Sequence, residues 1–279
     1  MCLFSDRNIE SPSPMTRDRL PPRGAHMRCI RWGSGLWLGA LRAACAVQSM
    51  FVAAIAAVPG LAADELVTSV RSPDGDAIPF VLTTDGRPPT HAALMLPGGS
   101  GNLSPRLQDG QLVMSLGGNF LVRTRDLFAQ SRIAVVSMDA TTTPGRVRAV
   151  VAEIERRFGR LPVYVMGNSR GSYATMVLGE RMDGEVAGFV HTSSLNAIAS
   201  YDTRRFRSRH LMVAHAMDSC IGTNVSAAIA AHRAYGTPLI VMEGGTAVSR
   251  PCEAYAHHGF YGIEKETVGR IAAWVQEVP

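Results

Sequence analysis

The sequence VYVMGNSRG, residues 163–171, decides the fold of this chain. Its first residues are typical of a β-strand, and residues 172–181 are typical of a helix. Between them stands the pattern Gly-x-Ser-x-Gly, in which Ser169 is flanked by Gly167 and Gly171. A sharp turn between a strand and a helix strains the backbone of the serine, so small neighbours are needed to avoid clashes. The pattern predicts an exposed Ser169 hydroxyl at the end of a sheet, and an ordinary Ser/Gly turn is the alternative.

The composition predicts one substantial globular domain. The chain has 279 residues, of which 46% are hydrophobic and 18% are charged. Its formal net charge of +5 comes mainly from residues 1–63, which hold seven arginines and three acidic residues. The rest of the chain is nearly neutral and has no basic run interleaved with aromatic residues. We therefore expect no nucleic-acid partner.

The N-terminal region predicts export. Residues 1–26 are rich in Pro, Ser and Arg and show no periodicity. After Met27 come three arginines and then an apolar run over residues 43–58, which ends shortly before Ala62 and Ala63. This order is typical of a secretory signal peptide with cleavage near residue 62 or 63. An uncleaved anchor is the alternative, for which the apolar run is short. We expect a periplasmic or secreted protein without a stable membrane anchor.

The folded domain is predicted over residues 64–279, after an N-terminal extension and signal peptide at 1–63. It opens with two short strands at 66–70 and 78–82, joined by a turn signal. Strands then alternate with helices: strands at 92–96, 133–138, 186–190, 210–214 and 239–242, and helices at 120–130, 146–158, 172–181, 225–235 and 263–275. The later strands are apolar on both faces, as parallel strands covered by helices are. The order predicts an α/β fold.

Three of the predicted strands are followed by Ser169, Asp218 and His258. Functional groups gather at the carboxyl ends of parallel strands, so we expect these side chains to lie close together. Their chain order, Ser then Asp then His, is that of an α/β-hydrolase triad. His258 would accept the Ser169 proton, and Asp218 would orient and stabilise the imidazole. His257 is the alternative base and Glu243 the alternative acid.

The second element of the expected site is an oxyanion hole, in which backbone N–H groups stabilise developing negative charge. One N–H is expected from Arg170, the residue after the serine. The other is expected from the glycine-rich loop at residues 97–101, which follows the predicted strand at 92–96. Within this loop we favour Gly99, with Ser100 next.

Most of the predicted folded domain resembles the α/β-hydrolase superfamily. The resemblance rests on the loop at 97–101, the Gly-x-Ser-x-Gly turn, Asp218 after a strand and His258 before the last helix. It implies an α/β-hydrolase fold with a mostly parallel central sheet and helices on both faces. The chain shows no insertion long enough for a large cap. The sequences HAMDSC at 215–220 and HHGF at 257–260 are also similar to a group of small exported bacterial hydrolases of poorly defined activity.

Cys220 and Cys252 are the only cysteines after residue 63. An even pair in an exported domain indicates a disulfide bond. Such a bond would join the loop that carries Asp218 to the loop that carries His258, and would hold the two side chains in register. Two buried free thiols are the alternative.

Five further residues are candidates for the neighbourhood of the site. His191 and His215 end predicted strands, where we expect structural or pocket-lining roles. Asp139 also ends a strand on the functional edge and is a candidate to line the pocket. Arg123 and Arg170 are candidates to bind an acidic group of a substrate, with a salt-bridged or solvated arginine as the alternative.

Together these patterns predict an exported serine hydrolase that cleaves small-molecule acyl esters through an acyl-enzyme on Ser169. A peptidase or amidase with the same three residues forms the same intermediate and is the first alternative. A catalytically silent hydrolase fold, used as a binding module, is the second. We expect no cofactor and no metal, because no residue cluster has metal-ligand spacing and no phosphate-binding loop occurs.

Overall fold

The computed structural model describes residues 63–277; residues 1–62, which carry the predicted signal peptide, lie outside the described part. In chain order the elements are β1 (Asp64–Arg71), β2 (Ala77–Thr84), β3 (His91–Leu96), β4 (Arg106–Gln108), β5 (Gln111–Val113), α1 (Phe120–Arg123), α2 (Arg125–Ala129), β6 (Ile133–Met138), α3 (Pro144–Phe158), β7 (Val163–Asn168), α4 (Gly171–Arg181), β8 (Gly188–Thr192), β9 (Arg209–His215), α5 (Val225–Tyr235), β10 (Leu239–Met242) and α6 (Glu264–Gln276). Short 3-10 turns occupy Asn196–Ser200, Thr203–Arg205 and His257–Gly259.

The central sheet has eight strands in the order β1-β2-β6-β3-β7-β8-β9-β10. β1 and β2 pair antiparallel, and β2 is antiparallel to β6. From β6 through β3, β7, β8 and β9 to β10, every neighbouring pair is parallel. The predicted α/β class and mostly parallel sheet are therefore confirmed. Because β3, β7, β8 and β9 are adjacent and parallel, the loops after them meet at one edge of the sheet.

Helices cover both faces of the sheet, as predicted. Adjacent residues of β3 alternate between the two faces: Leu94 packs in a cluster with Val150 of α3, whereas Met95 packs in a second cluster with Phe120 of α1 and Ile271 of α6. Full burial of such side chains contributes ~1.5–3 kcal/mol each. The edge that carries the functional loops is therefore built on a rigid core.

Two predicted elements differ from those in the structure. The helix predicted over 120–130 is interrupted at Thr124, where the backbone leaves helical geometry and the side-chain hydroxyl donates to the Phe120 carbonyl oxygen at 2.7 Å. The strand predicted at 186–190 lies instead at Gly188–Thr192. The chain after α4 needs a turn at residues 182–187 before it can pair with β7, and apolar residues in that turn resemble a strand.

The connection between β8 and β9 consists of two short 3-10 turns, Asn196–Ser200 and Thr203–Arg205, with their flanking residues. It holds no cap domain, in agreement with the sequence prediction. None of the helices within residues 63–277 is long and apolar enough to cross a membrane.

Candidate active site

The turn between β7 and α4 holds Ser169 in a strained conformation. Its φ angle is 55°, in the left-handed region that L-residues rarely occupy. The Ser169 N–H donates to the Thr192 carbonyl oxygen of β8 at 2.9 Å. The Ser169 carbonyl oxygen accepts from the Ser172 N–H at 2.9 Å and from its hydroxyl at 2.6 Å. These bonds fix the backbone of Ser169 from both sides, so that its side chain stands at the sheet edge.

The small residues around Ser169 are required by the close approach of three backbone segments. A Cβ atom on Gly167 would lie 2.3 Å from the Gly171 carbonyl oxygen, and one on Gly171 would lie 2.2 Å from the Leu96 carbonyl oxygen. Neither neighbour is the end of a flexible side chain that can move away. The Gly-x-Ser-x-Gly pattern is thus explained by packing of the turn against β3.

The glycine-rich loop after β3 lies directly against this turn. A Cβ atom on Gly98 would lie 2.8 Å from the Ser169 Cβ atom and 3.3 Å from the Arg170 nitrogen. Within residues 63–277, neither the Gly99 N–H nor the Arg170 N–H has a hydrogen-bond partner. Two backbone donors are therefore available on the loop and the turn that flank the Ser169 side chain, as an oxyanion hole requires.

Ser100 and Asp139 shape the same loop. The Ser100 hydroxyl accepts from the Asn102 N–H at 3.3 Å. One carboxylate oxygen of Asp139 accepts from the Leu103 and Ser104 N–H groups at 2.7 and 2.9 Å. Asp139 thus anchors the loop that carries Gly99, a structural role that sequence reasoning had not assigned to it.

Asp218 and His258 form a buried hydrogen-bonded pair. His258 Nδ1 lies 3.0 Å from Asp218 Oδ2, and the two side chains are 4% and 1% exposed. The other carboxylate oxygen, Oδ1, accepts from the Cys220 N–H at 2.9 Å. A carboxylate in this position holds the imidazole with its proton on Nδ1 and leaves Nε2 as an acceptor.

Thr223 completes this pair and was missed by sequence reasoning. The Thr223 hydroxyl donates to Asp218 Oδ2 at 3.0 Å. Its oxygen, Oγ1, also lies 3.1 Å from His258 Nδ1. The single hydroxyl proton is used on the carboxylate, so the threonine oxygen can only accept from Nδ1–H. Thr223 therefore favours the same imidazole tautomer as Asp218. In the sequence it precedes a helix-capping asparagine, Asn224, and gives no separate signal.

The backbone around His258 is held by side chains from distant elements. The Ser193 hydroxyl donates to the His258 carbonyl oxygen at 2.7 Å. Arg123 donates to the Gly259 carbonyl oxygen at 2.6 Å and pairs with Glu264 at 2.9 Å. The arginine that sequence reasoning considered for substrate binding therefore joins α1 to the start of α6 across the histidine loop.

The two alternatives for the base and the acid lie elsewhere. His257 stacks on His215, with ring centroids 4.6 Å apart, and within residues 63–277 forms no hydrogen bond or ion pair with Asp218. His215 in turn donates through Nε2 to the Gly244 carbonyl oxygen at 2.9 Å, and burial lowers its pKa. Glu243 is exposed to solvent. The structure therefore brings together Asp218 and His258, and neither Glu243 nor His257.

Cys220 and Cys252 form the predicted disulfide bond, with their Cα atoms 4.7 Å apart. Cys220 lies two residues after Asp218, and Cys252 lies in the long loop between β10 and His258. The bond therefore joins the loop of the carboxylate to the loop of the imidazole.

Ser169 and His258 line one cavity of about 250 Å³, together with Leu116 and Phe120. Among residues 63–277, no hydrogen bond joins the Ser169 hydroxyl to the His258 ring. Such catalytic hydrogen bonds commonly shorten only when a substrate is bound. A second cavity of about 400 Å³ is lined by Gly99 and Arg170 but by neither Ser169 nor His258.

A second pair of histidines lies beneath α4. His191 Nδ1 is 2.7 Å from the Thr175 hydroxyl oxygen, and His191 Nε2 is 3.1 Å from His210 Nδ1. Burial lowers the pKa of His191 well below its ordinary value and the pKa of His210 to about 4. Burial therefore favours the neutral form of both rings, whose hydrogen bonds link α4 to β8 and β9. Among residues 63–277, no three His, Cys, Asp or Glu side chains are grouped as metal ligands would be.

No family model and no curated protein sequence matches this chain. Several solved structures match it in fold. The esterase domain of a Rhodothermus marinus protein is 12% identical, with a TM-score of 0.53 over 76% of this chain and 100% of that one. A dienelactone hydrolase from Anabaena variabilis is 14% identical, with a TM-score of 0.55 over 76% of this chain and 96% of that one. An α/β serine hydrolase without lid from Xanthomonas campestris is 13% identical, with a TM-score of 0.50 over 77% of this chain and 97% of that one.

Identities this low define the fold alone. The structural matches, together with the strand order and the helices on both faces, establish that residues 63–277 have the α/β-hydrolase fold. The α/β-hydrolase fold that the sequence resemblance implied is therefore confirmed.

Proposed function

We propose that this protein is a serine hydrolase that cleaves acyl esters through an acyl-enzyme on Ser169. The observation that carries the proposal is the buried hydrogen bond between Asp218 and His258, whose imidazole lines the same cavity as the strained Ser169. A serine hydroxyl is a weak nucleophile at its ordinary pKa and needs an adjacent base. The three side chains fit that requirement in the chain order of α/β-hydrolases.

In the proposed reaction the Ser169 Oγ atom attacks the ester carbonyl carbon and His258 Nε2 takes the hydroxyl proton. The negative charge that develops on the carbonyl oxygen is stabilised by the N–H groups of Gly99 and Arg170, with Ser100 as the second candidate from the loop. The bond to the leaving alcohol breaks, and the alcohol oxygen receives the proton from His258. A water molecule then attacks the acyl-enzyme by the same route, releasing the acid and restoring the Ser169 hydroxyl.

Asp218 stabilises the imidazolium that forms in both steps. Its position beside Nδ1 also prevents the ring from presenting a protonated Nε2 to Ser169 in the resting enzyme. Thr223 supports the same tautomer through the oxygen that both groups share. In this mechanism Thr223 is a positioning residue, because it does not touch the substrate.

We favour ester cleavage because several proteins with the same fold are described as esterases. We also infer that residues 64–279 are the folded domain of an exported protein. A disulfide between Cys220 and Cys252 persists in oxidising compartments such as the periplasm, and the N-terminal sequence pattern points to the same destination.

The test is turnover of short p-nitrophenyl esters and of aminoacyl anilides by the purified protein and by Ser169→Ala, with the exposed Ser226→Ala as control. We expect ester turnover by the wild type and a loss of about 10⁴-fold or more in Ser169→Ala. Asp218→Asn should lose a similar amount because the imidazole takes the wrong tautomer.

A fluorophosphonate probe gives an independent readout of the nucleophile. It should label Ser169 in the wild type and in Ser226→Ala, and should not label Ser169→Ala. Turnover of anilides in preference to esters would replace the esterase by an amidase. Absence of both turnover and labelling would overturn the proposed function.

A further inference from the structure

Two arginine side chains lie near the cavities beside Ser169, and they differ in what they bind. Arg123 is committed to protein groups: it donates to the carbonyl oxygens of Gly118 and Gly259 and pairs with Glu264. Arg170 is exposed, and within residues 63–277 its guanidinium forms neither an ion pair nor a hydrogen bond. Arg170 therefore remains available to an external anion.

The cavity next to Arg170 has the chemistry of an anion site. Its lining brings together one guanidinium, several hydroxyl groups and the backbone of Gly99. Among the described residues that line it, Arg170 is the only charged one, and four hydroxyl groups, those of Ser100, Thr141, Thr142 and Tyr173, accompany it. Asp139, which precedes the lining residue Ala140, accepts from two loop N–H groups and, within residues 63–277, forms no ion pair with the Arg170 guanidinium. A planar guanidinium with neighbouring hydroxyl donors suits a carboxylate.

The position of His258 decides which part of a substrate would enter this cavity. The imidazole must protonate the leaving alcohol, so the alcohol lies on the His258 side of Ser169, in the cavity of about 250 Å³. His258 lines only the cavity of about 250 Å³, whereas Gly99, which belongs to the proposed oxyanion hole, lines both cavities. An ester carbonyl bound at Gly99 therefore directs its acyl chain toward Arg170.

On this basis, and resting on the proposed function, we propose that the Arg170 cavity binds a carboxylate at the end of the acyl chain. The substrates are then half-esters of short dicarboxylic acids. Ser169 Oγ bonds to the ester carbonyl carbon, the carbon–oxygen bond to the alcohol breaks, and the alcohol leaves with the proton that His258 carries. Water then releases the dicarboxylic acid and restores the Ser169 hydroxyl.

The turnover test compares mono-p-nitrophenyl glutarate with p-nitrophenyl pentanoate, which has the same chain length without the carboxylate. The measured quantity is the ratio of their kcat/KM values, anionic over neutral. Arg170→Gln should lower this ratio about tenfold, the effect of losing one charge-assisted contact. Arg170→Lys should retain part of the preference. Arg181→Gln removes the same charge from the exposed far end of α4 and should leave the ratio unchanged.

Two results would overturn the proposal. One is an unchanged ratio in Arg170→Gln, and the other is an equal fall in Arg181→Gln, which would mean general charge steering. A second pair of substrates tests whether the carboxylate binds on the acyl side. In 4-carboxyphenyl pentanoate the carboxylate stands on the alcohol part instead, and its methyl ester is the neutral comparison. A larger effect of Arg170→Gln on that pair would overturn the acyl-side placement.

Binding separates this proposal from the proposed function. In Ser169→Ala, calorimetry should show tighter binding of N-phenyl glutaramate than of N-phenylpentanamide, and the difference should disappear in Ser169→Ala/Arg170→Gln. If this preference is found but the wild type neither turns over esters nor reacts with fluorophosphonate, the carboxylate site stands and the proposed function fails. If esters are hydrolysed without any preference that depends on Arg170, the hydrolase stands and the carboxylate site fails.

Discussion

Two loop regions meet at the cavity that Ser169 and His258 share, and they are held in place by different kinds of interaction. Ser169 sits in a turn of two residues between β7 and α4, where neighbouring backbone atoms leave no space for a Cβ on Gly167 or Gly171. Its position follows from local backbone packing against β3. We call this region the serine turn, residues 167–171.

Asp218 and His258 lie in long loops after β9 and β10, where regular structure does not dictate side-chain positions. They are held by the disulfide Cys220–Cys252, by the Thr223 hydroxyl, and by contacts from other elements to the backbone beside His258. The proposed nucleophile is therefore positioned by a short stretch of sequence, whereas the proposed acid–base pair depends on links between residues far apart in the chain.

The largest effect is expected from breaking the serine turn. In Gly171→Ala the new Cβ would meet the Leu96 carbonyl oxygen at 2.2 Å, so β3 or α4 must shift. We expect the free energy of unfolding to fall by about 4 kcal/mol or more, or folding to fail. Chemical denaturation measures the change in the free energy of unfolding, and Gly269→Ala in α6 is the matched control. A Cβ on Gly269 meets nothing within 4 Å, so that variant should be neutral or slightly stabilised. Equal stability of the two variants would contradict the steric account.

The next effect is expected from removing the disulfide between the acid–base loops. Its two cysteines are 32 residues apart, for which the chain-entropy model gives ~3–4 kcal/mol. We expect the double variant Cys220→Ala/Cys252→Ala to lose about this much stability in denaturant. If the serine turn is positioned locally, the hydrogen-exchange protection of α4 amides should persist under conditions where α6 amides have become less protected. Equal loss of protection in α4 and α6 would contradict the contrast between the two regions.

The stability contributed by the buried histidine pair beneath α4, His191 and His210, is expected to be sensitive to acid. Burial lowers the pKa of His210 from 6.5 to about 4. At pH values between about 4 and 6.5 the unfolded chain binds a proton at this residue that the folded chain does not. The contribution of His210 to the free energy of unfolding is therefore fully present above pH 6.5 and falls as the pH falls toward about 4. The loss is at most about 3 kcal/mol from this residue. Denaturant titrations at several pH values should show a shallower dependence in His210→Gln than in the wild type or in His232→Gln, whose side chain is exposed.

The smallest effect is expected from Thr223, whose hydroxyl contacts both Asp218 and His258. Thr223→Val keeps the shape but removes the oxygen shared by Asp218 and His258. We expect kcat to fall about tenfold with little change in KM. Thr223→Ser should restore most of the rate, since it restores the hydroxyl. The pH profile of kcat/KM should shift in Thr223→Val if the residue acts through the imidazole. A rise in KM alone would instead indicate a packing role.

The same contrast explains how much could be predicted from the sequence. The serine turn and the glycine-rich loop are local patterns, and the hydrophobic alternation of strands and helices is enough to predict the fold. The contacts of Thr223, Ser193 and Arg123 join segments that are distant in sequence, so no spacing indicates them. The split at Thr124 was missed because its side chain competes with the helix for a backbone carbonyl, which periodicity does not show.

Arg123 has a consequence for the order in which the protein is made. It lies before the serine turn in the chain, but its partners Gly259 and Glu264 come long after Asp218. A chain emerging from the ribosome therefore contains the serine turn well before it contains the histidine loop and α6, which Arg123 binds. During synthesis the proposed nucleophile would exist without its proposed base, and the nascent polypeptide would lack the proposed activity until α6 docks.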